Sequence, residues 1–353
     1  SVSVGGYMDH EYENFQERTS TFDQHRYILN VGAELGERLR FFSEYEIEHG
    51  GPNAPQGGEA KVEQAWVDFL INDYINARAG IVLVPFGRYN LYHDSDLQDL
   101  TDRPIVNRDI IPTTWSESGA GFWGEFTPFP DNWEDLTVGY ETYFFNGLDD
   151  GFSDTGLRNA RGSQAQDNNQ FKSNATRVVI SPDIGYEFGI SYYGGEYDVA
   201  DHYINGIAFD WFSSFKVPFE VDGLDLGPFE IVGEWAYFDI EQPADTDGVD
   251  LATGFYVQSN LHFWPTILDD TFLGRTFEDP TFTFVTRWGW AKVDNENDGG
   301  SEPNEEQRFT VGLNYRPVES WVFKLEWQVN QTANESLERG DNDGFMASVA
   351  MGF

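Results

Sequence analysis

The chain of 353 residues has no cysteine, only 5 lysines, and 21 basic residues in all against 61 acidic ones. Without cysteine there can be no disulfide, thiolate zinc site or iron–sulfur cluster. A formal net charge of −40 leaves no basic face to meet a phosphate backbone, so nucleic acid is excluded as a partner. No stretch approaches the roughly 20 apolar residues that a spanning helix needs. The longest candidate, 79–86, is short and is interrupted by Pro85. Enzyme signatures are also lacking: there is no Gly-x-Ser-x-Gly, phosphate loop or His-Glu-x-x-His, and His10, His25, His49, His93, His202 and His262 are scattered. No cofactor and no catalytic residue is expected. Ser1 opens the chain without a preceding Met and leads into polar, aromatic sequence, as expected of a mature exported chain.

Aromatic residues, by contrast, are abundant. With 11 Trp, 17 Tyr and 30 Phe the chain has far too much to bury to stay disordered. Yet its mean hydropathy is only −0.49. A period of two reconciles these facts. Phe345, Ala347, Val349, Met351 and Phe353 alternate with Met346, Ser348, Ala350 and Gly352, and Trp321, Phe323, Leu325, Trp327 and Val329 with Val322, Lys324, Glu326 and Gln328. Earlier, Tyr27, Leu29, Val31 and Ala33 oppose Arg26 and Asn30, and Leu39, Phe41, Tyr45 and Ile47 oppose Arg40, Glu44, Glu46 and Glu48. Successive strand side chains point to opposite faces, so each segment has one apolar and one polar face.

The alternation predicts strands near 1–15, 25–36, 38–49, 60–72, 74–84, 117–128, 134–146, 173–182, 184–195, 204–217, 228–241, 251–264, 280–293, 306–316, 319–331 and 343–353. An even number of long amphipathic strands fits an all-β, closed transmembrane antiparallel β-barrel of about 16 strands, forming one domain over 1–353. Closure removes the edges that such strands would otherwise expose. Connector lengths agree: short links fall at Gly36–Glu37, Asp73, Phe129–Trp133, Asp183 and Pro317–Ser320, and long polar ones at 50–59, 85–116, 147–172, 242–250, 294–305 and 332–342. The short links are expected on the periplasmic side and the long ones, 147–172 among them, outside. The links 218–227 and 265–279 are longer than turns and fit less well. A soluble sandwich or propeller would alternate too, but would bury its apolar faces against each other.

The last strand ends in an aromatic residue, Phe353, and so resembles the terminal strand of bacterial outer-membrane barrels, where that end belongs to the assembly signal. A more specific block runs Val84-Pro85-Phe86-Gly87-Arg88-Tyr89-Asn90, then Asp99-Leu100-Thr101-Asp102-Arg103-Pro104, then 111–119. It resembles the phosphate-selective-porin-like superfamily, which carries a Pro-Phe-Gly element at the end of a strand. The close match covers about 35 residues; the remainder resembles 16-stranded trimeric porins in pattern only. The resemblance implies a homotrimer in the bacterial outer membrane, in contact with its lipid and lipopolysaccharide. It also implies passive diffusion of small hydrophilic solutes and ions. Few lysines argue against carrying over phosphate specificity.

In porins of this kind the loop after the fifth strand folds inward. Residues 85–116 follow that strand and carry Arg88, His93, Asp94, Asp96, Asp99, Asp102, Arg103, Arg108 and Asp109 as expected constriction residues. The segment also holds Leu91, Leu97, Leu100, Ile105, Val106, Ile110 and Ile111, more apolar surface than a solvated loop needs. The alternative is an outer loop packed on its neighbours or on a partner subunit. Expected pore-wall residues are Arg26, Arg40, Glu44, Arg78, Arg177, Arg287, Arg308 and Lys324, with further acids interspersed. An acidic inner loop facing this basic wall would set a transverse field. Solvated or paired side chains are the plainer reading of each residue taken singly.

Asp245, Asp247 and Asp250 have the oxygen density of a Ca²⁺ loop, and 294–299 and 341–344 are similar; none has the twelve-residue EF-hand pattern, and solvated turns of Asp, Asn and Gly are the plainer reading. The sequence thus predicts a non-enzymatic porin. A channel selective for small anions, dicarboxylate- or phosphate-like, is the second reading, and a soluble acidic carbohydrate-active β-protein a third.

Overall fold

A computed structural model describes residues 1–53, 57–162, 164–243, 248–294, 304–333 and 342–353. Sixteen strands form one closed barrel: β1 (Val2–Phe15), β2 (Thr21–Leu35), β3 (Leu39–Glu48), β4 (Glu59–Leu70), β5 (Asn76–Leu83), β6 (Ser116–Phe126), β7 (Thr137–Phe145), β8 (Ser173–Ser181), β9 (Tyr186–Glu196), β10 (Tyr203–Lys216), β11 (Leu224–Ile240), β12 (Leu251–Pro265), β13 (Thr281–Asp294), β14 (Asn304–Val318), β15 (Trp321–Thr332) and β16 (Gly344–Gly352). Every strand pairs antiparallel with its neighbours in sequence, and β1 pairs with β16, Met8 opposite Met351. Phe353 continues that seam: its N–H donates to the Gly6 carbonyl at 2.9 Å and its carbonyl accepts from Gly6 N–H at 3.3 Å. No strand edge is left unpaired, which is what lets long β-strands sit in a medium without hydrogen-bonding partners.

The alternation places apolar side chains outward. Phe188, Tyr192, Phe209, Trp288, Phe309, Leu325 and Trp327 are exposed on the outside, while Asp210 on the inner face of β10 and Glu234 on that of β11 are fully buried. Polar inside and apolar outside is the reverse of a soluble protein, and a belt this continuous is a lipid-facing surface. No described helix is long and apolar enough to cross a membrane.

The strand bounds depart from the alternation at three β-bulges. β2 begins at Thr21, not near 25, because its ladder with β1 slips between Asp9 and Glu11. β11 begins at Leu224 and runs past Pro228, with a bulge between Leu226 and Phe229. β14 continues to Val318 past Pro317, with a shift between Tyr315 and Val318. A bulge inserts an unpaired residue and inverts the phase of the pattern, so a strict period of two stops there. The atypically long connection 266–280 contains a short 3₁₀ turn (Thr266–Leu268) and a one-turn α-helix (Phe272–Arg275).

The inner face is not uniformly polar. Tyr143, Phe145, Tyr193, Ala208, Ala236, Phe238 and Ala252 point inward and are buried. They pack with Val84, Phe86, Ile105, Val106, Ile110, Ile111 and Trp115 from the connection after β5 into one apolar cluster inside the barrel.

Candidate functional site

The connection 84–115 leaves β5 and turns across the lumen. Gly87 makes that turn possible. Its φ is +74°, a left-handed value, and a Cβ there would meet the Glu234 carboxylate at 2.7 Å. With no side chain in the way, Glu234 accepts the N–H groups of Arg88 (2.6 Å) and Tyr89 (3.0 Å), and Asn107 Nδ2 (2.5 Å). Phe86 fills the space beside Phe238, ring centroids 4.9 Å apart. Asn90 then closes the turn on itself through Nδ2 to the Val84 and Trp115 carbonyls, both at 2.9 Å. The Pro-Phe-Gly element is therefore the hinge that sends the chain inward.

Further along, side chains of the wall hold the connection. Arg308 Nη1 donates to Asp102 Oδ2 at 2.6 Å, and Arg287 Nη1 to the Asp102 carbonyl at 2.7 Å. Lys324 Nζ donates to the Ser95 carbonyl at 2.6 Å, and Arg316 Nη1 to that of Asp96 at 2.9 Å. Asp99 accepts from Asn260 (2.8 Å) and lies 3.5 Å from Arg316. Arg108 pairs with Asp109 at 2.6 Å and with Glu306. On the opposite side of the barrel His93 Nε2 lies 2.7 Å from Glu63 Oε1, with Asp94 at 4.0 Å, while Nδ1 faces the Asn90 carbonyl at 3.0 Å. Burial alone would push the His93 imidazolium down, but the Glu63 carboxylate overrides it and raises the pKa to about 9.

The remaining wall residues occupy other places. Arg26 reaches Glu46 and Glu48 at 3.2 and 3.3 Å. Glu44 accepts from Gln64 at 2.6 Å. Arg78 forks onto Asp68 (2.7 and 2.9 Å) and lies over Trp66. Arg177 forks onto Asp210 and touches Glu187, which also takes Arg88 at 3.2 Å. Arg40 is exposed near the start of β3, its ladder partners being Glu34 and Asp68. Asp245 and Asp247 lie outside the described residues, and Asp250 takes part in backbone bonds to Ile240 and Asp294.

The geometry corrects the expected field. The basic residues Arg287, Arg308, Arg316 and Lys324 do not face an acidic loop across open water; they are bonded to it. Open space lies on the other side, a cavity of about 260 Å³ between the inner connection and β1–β3. Here basic groups dominate the loop side and acidic ones the wall: Arg103, Arg108 and Arg158, with Asp102 among them, face Glu11, Glu13, Asp23, Glu48, His25 and His49, with Arg26 among those. Arg108 and Arg158 also line a second cavity of about 360 Å³. A third, of about 320 Å³, lies among residues of β5–β9 and holds Arg78, Arg177 and Glu187.

Two groups of residues at the inner loop and its cavity do not stand out in the sequence. Arg158 and Arg161 belong to the connection 146–172, which packs on the inner loop through Leu157 N–H to the Asp109 carbonyl (2.7 Å). Their guanidinium groups cap the carbonyls of Thr113 (2.5 Å) and Thr114 (2.7 Å), and Arg103 also donates to Thr113. Burial and the neighbouring guanidinium groups push both arginines down from their ordinary pKa. Their signal was two arginines three apart, with Leu157 just before the first and Ala160 between them, in an otherwise polar acidic loop. The second group is His25 with Asp23, which the β2 bulge turns toward the lumen.

The barrel, the inward connection and the Pro-Phe-Gly hinge coincide with a family match: residues 3–199 fit the model of phosphate-selective porins O and P. The chain belongs to that porin family. The porin is also 37% identical over 150 residues to an uncharacterized protein of Aquifex aeolicus, and the match covers 42% of this chain. It spans about a third of that curated relative's length, 32%. Among solved structures, it resembles OmpF of Salmonella typhi in complex with daunomycin, at TM-score 0.63 and 9% identity, covering 100% of this chain and 97% of that one. The outer-membrane channel DcaP of Acinetobacter baumannii is similar at TM-score 0.60 and 10% identity, again over 100% and 97%. At such identities the likeness speaks for the fold. Fold and family together place this porin in the bacterial outer membrane.

Proposed function

We propose that the protein is a water-filled channel for passive diffusion of small hydrophilic solutes and ions, narrowed by residues 85–116. The observation that carries this reading is the loop bonded across the barrel interior, with cavities lined by charged side chains beside it. Selection would work through size and charge, without catalysis. Planar-bilayer recording tests it: discrete open-channel steps are expected, and their absence from folded protein would contradict it.

A specific observation favours the small-anion reading. Arg103, Arg158 and Arg161 hydrogen-bond backbone carbonyls, and among the described residues none is paired with a carboxylate. In so acidic a protein, three such cations at the narrow part offer an anion a foothold. A reversal potential favouring anions supports this reading; one favouring cations removes it.

The homotrimer implied by the sequence resemblance belongs here as well. β5 is the shortest strand, at 8 residues, under the roughly 9–11 that a tilted spanning strand needs. We place the subunit contact on that side, with lipid and lipopolysaccharide around the rest. Crosslinking in detergent reads the stoichiometry, and a solely monomeric species would count against it.

A further inference from the structure

We propose that the lumen wall carries a binding site for a divalent transition-metal ion, formed by Asp9, Glu11 and His25. The three donor groups lie within 4.8 Å of one another. Two strands build the cluster. Asp9 and Glu11 stand two apart on β1 and share its inner face. The bulge in β2 turns His25 to them, and its Nδ1 lies 2.6 Å from Glu11 Oε1. Such re-aiming of one side chain is what bulges do in barrels.

Asp9 is what makes the cluster more than an ion pair. Its side chain is 1% exposed, and its Oδ1 has no hydrogen-bond partner. The nearby cations bond elsewhere: Arg26 to Glu46, Glu48 and Tyr7, and Lys324 to the carbonyls of Ser95 and Leu100. A buried carboxylate oxygen without a hydrogen-bond partner is costly, and a bound cation offsets that cost. One imidazole with two carboxylates is a borderline donor set, suited to Zn²⁺ and its neighbours in the first transition row. Metal–ligand bonds of about 2.0–2.2 Å hold donors roughly 3–4 Å apart, so small side-chain rotations complete the site.

Glu11 and His25 line the cavity beside the inner loop, so the ion would enter from the lumen. His49 stands next to them, its ring centroid 5.9 Å from that of His25. Asp23 holds His49 Nδ1 at 2.7 Å, the carboxylate–imidazole arrangement that orients metal-binding histidines.

Titration of the folded full-length protein with ZnCl₂, followed by calorimetry, tests the site without reference to channel activity. Saturable binding of one Zn²⁺ per chain is expected, weakened at least tenfold in Asp9→Asn and in His25→Gln. The wild-type titration stands even where a variant does not fold. No saturable binding by wild-type protein, or unchanged affinity in both folded variants, would overturn the proposal. Bilayer steps that Zn²⁺ leaves unchanged while it still binds at one equivalent would overturn the lumenal location alone.

Discussion

Arg308 on β14 and Asp102 in the inner loop form an ion pair, Nη1 to Oδ2 at 2.6 Å, with Arg308 4% and Asp102 14% exposed at their side chains. This bond joins the wall to the segment that crosses the lumen. Removing Arg308 takes from the largely buried Asp102 carboxylate the guanidinium it is bonded to and leaves it the longer contact with Gln328 Nε2 at 3.4 Å, a loss on the order of 2 kcal/mol. Arg308→Gln is therefore expected to release the loop locally. In bilayers it should show greater open-channel noise than the wild type, and in solution faster proteolysis within 91–110.

Gly87 provides a backbone test of the same hinge. Replacement by alanine adds a Cβ in a left-handed conformation and drives it into the Glu234 carboxylate. A loss on the order of 2 kcal/mol is expected. The thermal transition of Gly87→Ala should fall below that of the wild type, whereas Gly36→Ala should be milder because nothing lies within 4 Å of its Cβ position.

His93 makes the anchoring depend on pH. Its pKa in the folded protein is about 9, above the ordinary value near 6.5, because Glu63 holds the protonated form. The stabilisation is fully present below about pH 6.5 and is lost as pH rises through about 9, with a magnitude on the order of 3 kcal/mol. Limited proteolysis of the loop should accelerate over that window. His93→Gln should be faster at neutral pH and nearly flat across it.

The arginines beside the 260 Å³ cavity should set ion preference. Arg103→Gln and Arg158→Gln together remove two positive charges from the loop side of the cavity and leave the acidic wall of β1–β3 in place. Reversal potentials in a salt gradient should shift toward cations, most at low ionic strength, where screening is weakest. An unshifted potential would place the selective region elsewhere.

Much of this was legible in the sequence. Alternation such as Trp321-Val322-Phe323-Lys324-Leu325 has one reading in a strand, and sixteen repeats of it with short and long links in turn specify a closed barrel. Pro85-Phe86-Gly87 was legible only as a family element at a strand end, and the excess apolar surface of the next thirty residues as a reason to expect an inward course. The charge map was not, because pairing across the barrel depends on which strands the loop meets. Asp102 reads as an acid offered to the pore, yet Arg308, some two hundred residues away, consumes it. His25 was hidden for a local reason: the β2 bulge inverts the alternation that had placed it outside. Arg158 and Arg161 were hidden by distance, since their connection meets the inner loop only in the folded barrel.

The loop that crosses the lumen is the segment expected to limit the pore. Single-channel conductance of the wild type should therefore be compared with that of a variant lacking residues 91–110, with circular dichroism verifying that the barrel still folds. A narrowed channel predicts discrete steps in the wild type and clearly larger ones in the variant. Equal conductance from two folded barrels would contradict the claim that this segment limits the pore.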